Sequence, residues 1–153
     1  MMKNYLVFSD IHGDYDSLVK MKKMASENDG AFFAGDGLSS LSNFATKEFY
    51  AVKGNCDLFG EEEKVVEING VKILLTHGHN FGVKQSYLRL FMRAKELECS
   101  VVIFGHTHLA TVFEKEGVLF VNPGTCSYHA NQKTYAILII SKGKAQAYLN
   151  NIL

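Results

Sequence analysis

Apolar runs of four to six residues recur along the chain, broken by glycine and polar turns. "YLVFS" (5–9), "GAFFAG" (30–35), "FYAVK" (49–53), "KVVEI" (64–68), "VKILLT" (71–76) and "SVVIFG" (100–105) read as strands, rich in β-branched and aromatic residues. "ATVFEK" (110–115), "VLFVN" (118–122), "TYAILIIS" (134–141) and "AQAYLN" (145–150) follow. Asn69-Gly70 predicts a two-residue hairpin turn, and Glu116-Gly117 and Lys142-Gly143 predict two more. Helical spacing appears twice. Over 14–28, Asp14 is placed to cap, Leu18, Met21 and Ala25 share a face, and Gly30 lies just past the end. Over 82–97, Val83, Tyr87, Phe91 and Ala94 form a stripe that Lys84, Arg89 and Lys95 avoid. A shorter helix is expected over 39–46. Helices alternate with strands in the first two thirds and hairpins fill the rest, which predicts mixed α/β sheets with helices outside.

Bulk composition narrows the function classes. The 153 residues are 47% hydrophobic and 21% charged with a single proline, a globular composition read as one domain over 1–153. Lys+Arg and Asp+Glu balance at 16 each, so the basic excess that long nucleic acid demands is missing. Cys56, Cys99 and Cys126 show no paired spacing and suit a reducing compartment. The first apolar run, Tyr5 to Phe8, is too short for a signal or a membrane span. The expectation is a cytoplasmic protein with neither nucleic acid nor membrane as partner.

Chemistry gathers where strands end. "YLVFS" runs into Asp10-Ile-His12, "GAFFAG" into Asp36, "FYAVKG" into Asn55, "VKILLT" into His77-Gly-His79, and "SVVIFG" into His106-Thr-His108. Sheets collect ligand sites at their carboxyl edge. If the backbone stays extended, His106 and His108 face one way, and so do His77 and His79. Singly, each residue has a plainer reading: turn or cap for the two aspartates, a left-handed turn for Asn55, hydrogen-bonded structural roles for His12 and His77. Cys99 and Cys126 read as buried small apolar residues, and His129, which follows no such strand, as structural or exposed. Five strands ending alike argue against coincidence. Carboxylate, imidazole and amide donors in that number suit two divalent ions of the manganese, iron, cobalt or zinc type.

In order, Asp10-x-His12, Gly35-Asp36, Gly54-Asn55, His77-Gly78 and Gly105-His106-Thr-His108 resemble the signature of the calcineurin-like metallophosphoesterases. "GNCD" (54–57), "THGH" (76–79) and "NPGT" (122–125) resemble the small bacterial and archaeal phosphodiesterase branch. The resemblance implies a four-layer αββα sandwich, two mixed β-sheets flanked by helices, without a cap domain. It assigns Asp10, His12 and His108 to one metal and Asn55, His77 and His106 to the other, with Asp36 bridging. Manganese is the expected ion, and nickel, cobalt, iron and zinc are alternatives. Such a pair acidifies a bridging water into a hydroxide that attacks phosphorus, with Asn55 beside the phosphoryl oxygens and no protein nucleophile. The implied activity is hydrolysis of a small phosphodiester, and His79 is expected to contact its phosphate or leaving group. A phosphomonoesterase or nucleotidase on the same core is the alternative, as is a scaffold like the retromer subunit of this fold; a homo-oligomer is left open. Two departures stand out. Many relatives have Gly-Asp-x-x-Asp, but Gly37-Leu38-Ser39 follows Asp36 here, so a supporting carboxylate is missing. Where larger relatives carry a histidine that looks like a general acid, this chain has Cys56.

Overall fold

A computed structural model of the chain describes residues 1–42, 44, 47–127 and 130–152. Its strands are β1 (Lys3–Phe8), β2 (Gly30–Phe33), β3 (Phe49–Ala51), β4 (Glu63–Ile68), β5 (Val71–Thr76), β6 (Val101–Ile103), β7 (Thr111–Lys115), β8 (Val118–Asn122), β9 (Thr134–Ser141) and β10 (Lys144–Asn151). Two helices, α1 (Tyr15–Ser26) and α2 (Leu88–Glu96), complete the framework. The strands form two five-stranded sheets, ordered β10-β9-β1-β2-β3 and β4-β5-β6-β8-β7. Both are mixed. β1, β2 and β3 run parallel in the first, β9 runs antiparallel to β1, and β10 runs antiparallel to β9. β5, β6 and β8 run parallel in the second, with antiparallel β4 and β7 at its edges.

Strand alternation makes the layers. Tyr5 and Val7 of β1 face a core between the sheets with Phe32, Ile73, Leu75, Ile103, Val121 and Leu138. Their neighbours Leu6 and Phe8 face outward onto Met21 and Ala25 of α1. On the other side, Leu74, Val102 and Phe120 pack with Leu90 and Ala94 of α2. Helix, sheet, sheet and helix therefore stack in four layers, because successive side chains of a strand point to opposite faces. Among the described residues no helix is long and apolar enough to cross a membrane.

All three predicted hairpins close on residue pairs with positive φ: Asn69-Gly70 (49°, 84°), Glu116-Gly117 (47°, 81°) and Lys142-Gly143 (55°, 73°). Such pairs match the twist of the strands they join. Asp14 caps α1, its Oδ1 accepting the Ser17 amide at 3.0 Å. Three expectations change. Gly30 does not cap α1; it opens β2, where a Cβ would collide with the Glu48 carbonyl. The helix expected over 82–97 begins only at Leu88, because Gly78 (φ 102°) and Gly82 (φ 61°) turn the chain before it. Over 39–46 the chain makes a 3₁₀ turn, Leu38–Leu41; residues 43, 45 and 46 of that stretch, like His129, lie outside the described residues.

Candidate metal centre

The ends of β1, β2, β5 and β6 meet along one edge and are stitched together. The Asp10 amide donates to the Gly35 carbonyl at 2.9 Å, and the Gly105 amide to the His77 carbonyl at 3.0 Å. Across the two sheets, the His106 amide donates to Asp10 Oδ2 at 3.3 Å. Glycine permits this closeness: a Cβ on Gly54 would overlap Asp36 Oδ1, and one on Gly105 would overlap Ser9 Oγ.

The chain does not stay extended where the side chains emerge. Asp10 (φ 54°), His12 (45°), Asp36 (68°), His106 (70°) and His108 (64°) all adopt the left-handed region. Non-glycine residues hold that conformation at a cost, and concentrated strain of this kind marks functional sites. The expected same-side extended pairs are thus corrected: backbone reversals, not strand alternation, aim these imidazoles. Gly78 likewise turns the chain between His77 and His79, yet their rings lie 5.4 Å apart.

Asp10, fully buried, ties one carboxylate oxygen to protein: Oδ2 accepts the Ser9 hydroxyl at 2.6 Å. Its Oδ1 accepts no hydrogen bond but lies 3.2 Å from His108 Nε2 and 3.8 Å from both His12 Nε2 and His77 Nε2. Asp36 repeats the pattern. Oδ1 accepts the Cys56 amide at 2.8 Å, while Oδ2 sits 3.3 Å from His77 Nε2 and 3.8 Å from His12 Nε2. The buried His77 contacts the Ala34 carbonyl through Nδ1 at 2.7 Å, which fixes the proton there and leaves Nε2 without a hydrogen bond. Buried polar atoms without partners are costly, and here two converge on one point. Ligand atoms of Asp10, His12 and His108, and of Asp10, Asp36 and His77, each cluster within 4.8 Å. This donor set, carboxylates each tethered through one oxygen and the His77 imidazole oriented from behind, fits divalent metal.

Electrostatics follow from that crowding. Burial alone would raise Asp36, but the His77 imidazole beside it and the Cys56 amide outweigh it and hold the carboxyl well below its usual range. Burial alone would lower His77, yet Asp36 and Asp10 raise it, so an arriving cation displaces a proton. His108 is raised by the Asp10 carboxylate beside it. His106 and His79 are lowered by burial and by His77, which keeps both neutral near pH 7. Burial and the Asp36 carboxylate push the Cys56 thiol up.

The remaining expected residues stand around this point. Among the described residues three clusters of ligand atoms form and His106 joins none of them; its ring lies 5.1 Å from that of His77. Asn55 is exposed and directs Nδ2 toward Cys56 Sγ at 3.6 Å. His79 lies 6.1 Å from the His106 ring and keeps a buried Nδ1 without a partner. Cys56 Sγ also comes within 4.8 Å of His12 and Asp36 ligand atoms.

Supporting residues emerge that the sequence did not single out. The Asp57 carboxylate accepts the amides of Asp36, Gly37 and Leu38 at 2.9, 2.9 and 3.0 Å, and of Gly54 at 2.8 Å. This corrects the expected loss of a supporting carboxylate: one arrives from 21 residues downstream. Asn122 Nδ2 donates to the Gly105 carbonyl at 3.2 Å and to Thr107 Oγ1 at 2.9 Å, and Thr125 Oγ1 donates to the Asp10 carbonyl at 2.9 Å. "NPGT" is therefore a brace behind the site. Asp57 closes the "GNCD" stretch, but an Asp beside a Gly/Asn turn gives no sign that it braces a distant loop.

The calcineurin-like phosphoesterase superfamily domain model matches residues 2–143. The chain is 36% identical over 147 residues to the probable metallophosphoesterase YsnB of Bacillus subtilis, covering 93% of this chain and 87% of that one. A structure described as a novel archaeal phosphodiesterase superposes with a TM-score of 0.76 at 24% identity, covering 96% and 99% of the two chains. Vacuolar protein sorting 29 from Cryptosporidium parvum superposes equally well, with a TM-score of 0.76 at 22% identity over 99% and 98%. With its family model spanning nearly the whole chain and its buried carboxylates and imidazoles meeting at one edge, the chain belongs to the calcineurin-like phosphoesterases.

Proposed function

We propose that the chain is a dinuclear-metal phosphodiesterase acting on a small phosphodiester. Asp10, His12 and His108 would hold one ion; Asn55, His77 and His106 would hold the other, with Asp36 shared. The observation that carries this reading is Asp36 Oδ2, facing His12 of one set and His77 of the other at 3.8 and 3.3 Å. When bound, the two ions supply the charge that acidifies water and neutralises phosphoryl oxygens. The protein's part is orientation. Ala34 fixes the His77 tautomer, Ser9 and the Cys56 amide each hold one carboxylate oxygen back, and Asp57 sets the loop carrying Asp36. His79 supplies a neutral imidazole at the rim to hydrogen-bond the substrate phosphate. Cys56, a weak hydrogen-bond donor, gives a leaving group little help, so esters with good leaving groups are favoured.

Four imidazoles in the set favour manganese, cobalt or nickel over magnesium, which prefers oxygen ligands and keeps its water. The test is turnover after chelation and reconstitution with each metal, on matched phosphodiesters and monoesters. Activity with manganese but little with magnesium, and higher kcat/KM on diesters, supports the reading. Preference for monoesters would favour the phosphomonoesterase alternative. Absent metal binding and turnover would favour a scaffold role like that of the retromer subunit of this fold.

A further inference from the structure

Beside the metal centre lies a cavity of about 680 Å³ lined by Leu38, Ser39, Ser42, Cys56, Leu58 and Phe59. Cys56 belongs to both places: its Sγ clusters with His12 and Asp36, and the residue lines the cavity. The cavity therefore adjoins the metal centre at Cys56. Its far wall is unusual for a protein surface. Leu58 and Phe59, adjacent in sequence, are 85% and 83% exposed. Water-facing apolar side chains gathered at the mouth of a polar site mark a ligand contact more often than they occur by chance.

The loop that carries them is held, not loose. Asp57, the residue before Leu58, accepts four backbone amides, and the Lys53 amide closes the loop base on the Glu61 carbonyl at 2.8 Å. At Gly60 a side chain would press on Leu38 at 2.6 Å, so the loop packs directly against the opposite wall. Leu58 and Phe59 are thus presented at a fixed place relative to Asp36. The lining has a definite chemistry as well. Among the described residues it contains no Lys, Arg or His, and its single carboxylate is spent on backbone amides. A second phosphate would find no counter-charge there. An uncharged ring would find an aromatic face, a leucine edge and two serine hydroxyls.

We infer that this cavity is a specificity subsite for an aromatic substituent on the phosphoester, with Phe59 as the stacking face and Leu58 as its flank. The inference rests on the phosphoesterase reading and adds the class of substrate: a phosphodiester bearing a planar ring, of aryl or nucleobase type. Stacking on an exposed ring tolerates different planar groups and contributes most of the discrimination.

The test is calorimetric binding to the manganese-loaded protein, with inorganic phosphate, phenyl phosphate and hexyl phosphate as probes. The ratio of phenyl phosphate to phosphate affinity should be roughly ten or more and should fall roughly tenfold in Phe59→Ser, with a smaller fall in Leu58→Ser. Hexyl phosphate should show less preference and less loss. Because both side chains are exposed, the thermal midpoints of the variants should match the parent and exclude misfolding. Equal affinity for phenyl phosphate and phosphate, or equal loss across all three probes, overturns the inference while leaving the phosphoesterase reading intact. A hexyl preference equal to the phenyl one also overturns it, showing a merely greasy surface. Failure to bind metal and phosphate at all would instead remove the parent reading, and the subsite with it.

Discussion

Asp57 accepts the backbone amide of Asp36 at 2.9 Å, and the two amides that follow it, so one carboxylate fixes the conformation from which another points at the imidazoles. Because Asp36 stands at φ 68°, a conformation aspartate does not prefer, the loop needs that external hold. Asp57→Ala should lower metal affinity by about 10–100-fold, the range seen when outer-shell partners are removed. Metal titration followed by calorimetry checks this, with circular dichroism confirming the fold. Parent-like affinity in the variant would show that the loop holds its shape unaided.

Asp36 and Asp10 compete for the role of shared ligand, since Asp10 Oδ1 also approaches both His12 and His77 at 3.8 Å. The expected outcome separates them. Asp36→Asn should weaken both ions and abolish turnover, whereas Asp10→Asn should cost chiefly the ion held with His12 and His108. Elemental analysis after dialysis reads the stoichiometry. Two tightly held ions in Asp36→Asn would transfer the bridging role to Asp10.

His79 differs from His77 in what its neighbours leave free. His77 is fully buried with Nε2 aimed at both carboxylates, while His79, half-buried, makes no carboxylate contact among the described residues. His79→Ala should reduce turnover roughly tenfold to a hundredfold, the size of one hydrogen bond to a charged group, with metal content near that of the parent. Loss of one ion in that variant would mean the wrong histidine of the pair has been placed in the metal set.

Much of the fold was legible because strands advertise themselves. β1 alternates Tyr5 and Val7 inward with Leu6 and Phe8 outward, and turn pairs such as Asn69-Gly70 permit little but a hairpin. The start of α2 was not legible: Val83 and Tyr87 continue the helical stripe in sequence, but Gly82 breaks the backbone first. At the site, residue types at strand ends revealed which side chains meet. How they are aimed was hidden, because the left-handed conformations of Asp10, Asp36 and His106 go with tertiary hydrogen bonds of their amides. Asp57 and Asn122 were overlooked for a related reason. They act on backbone groups, and an Asp or Asn near glycine looks the same whether it serves its own turn or a distant one.

Asp14 offers a stability test independent of metal. It caps α1 through Ser17 and also receives the Lys133 ammonium at 2.6 Å, fastening the loop after β8 to the helix start. Burial alone would raise its carboxyl, but the Lys133 hydrogen bond and the Ser17 amide prevail, and the group titrates below its ordinary value. The sign follows from linkage: a carboxylate depressed in the folded state adds stability that is complete above the unfolded value, about 3.9, and vanishes as pH falls through the folded one. Asn replaces Asp well as a cap, so Asp14→Asn removes the charge and keeps the helix start. In metal-free protein at pH 7 the variant should lose on the order of 1 kcal/mol, a fall of about 2–4 °C in thermal midpoint. The gap between parent and variant should close as the pH drops below about 4. Melting curves from pH 7 to pH 3 in a chelating buffer measure it. A gap that stays constant over that range would assign the effect to packing and not to the Asp14–Lys133 charge pair.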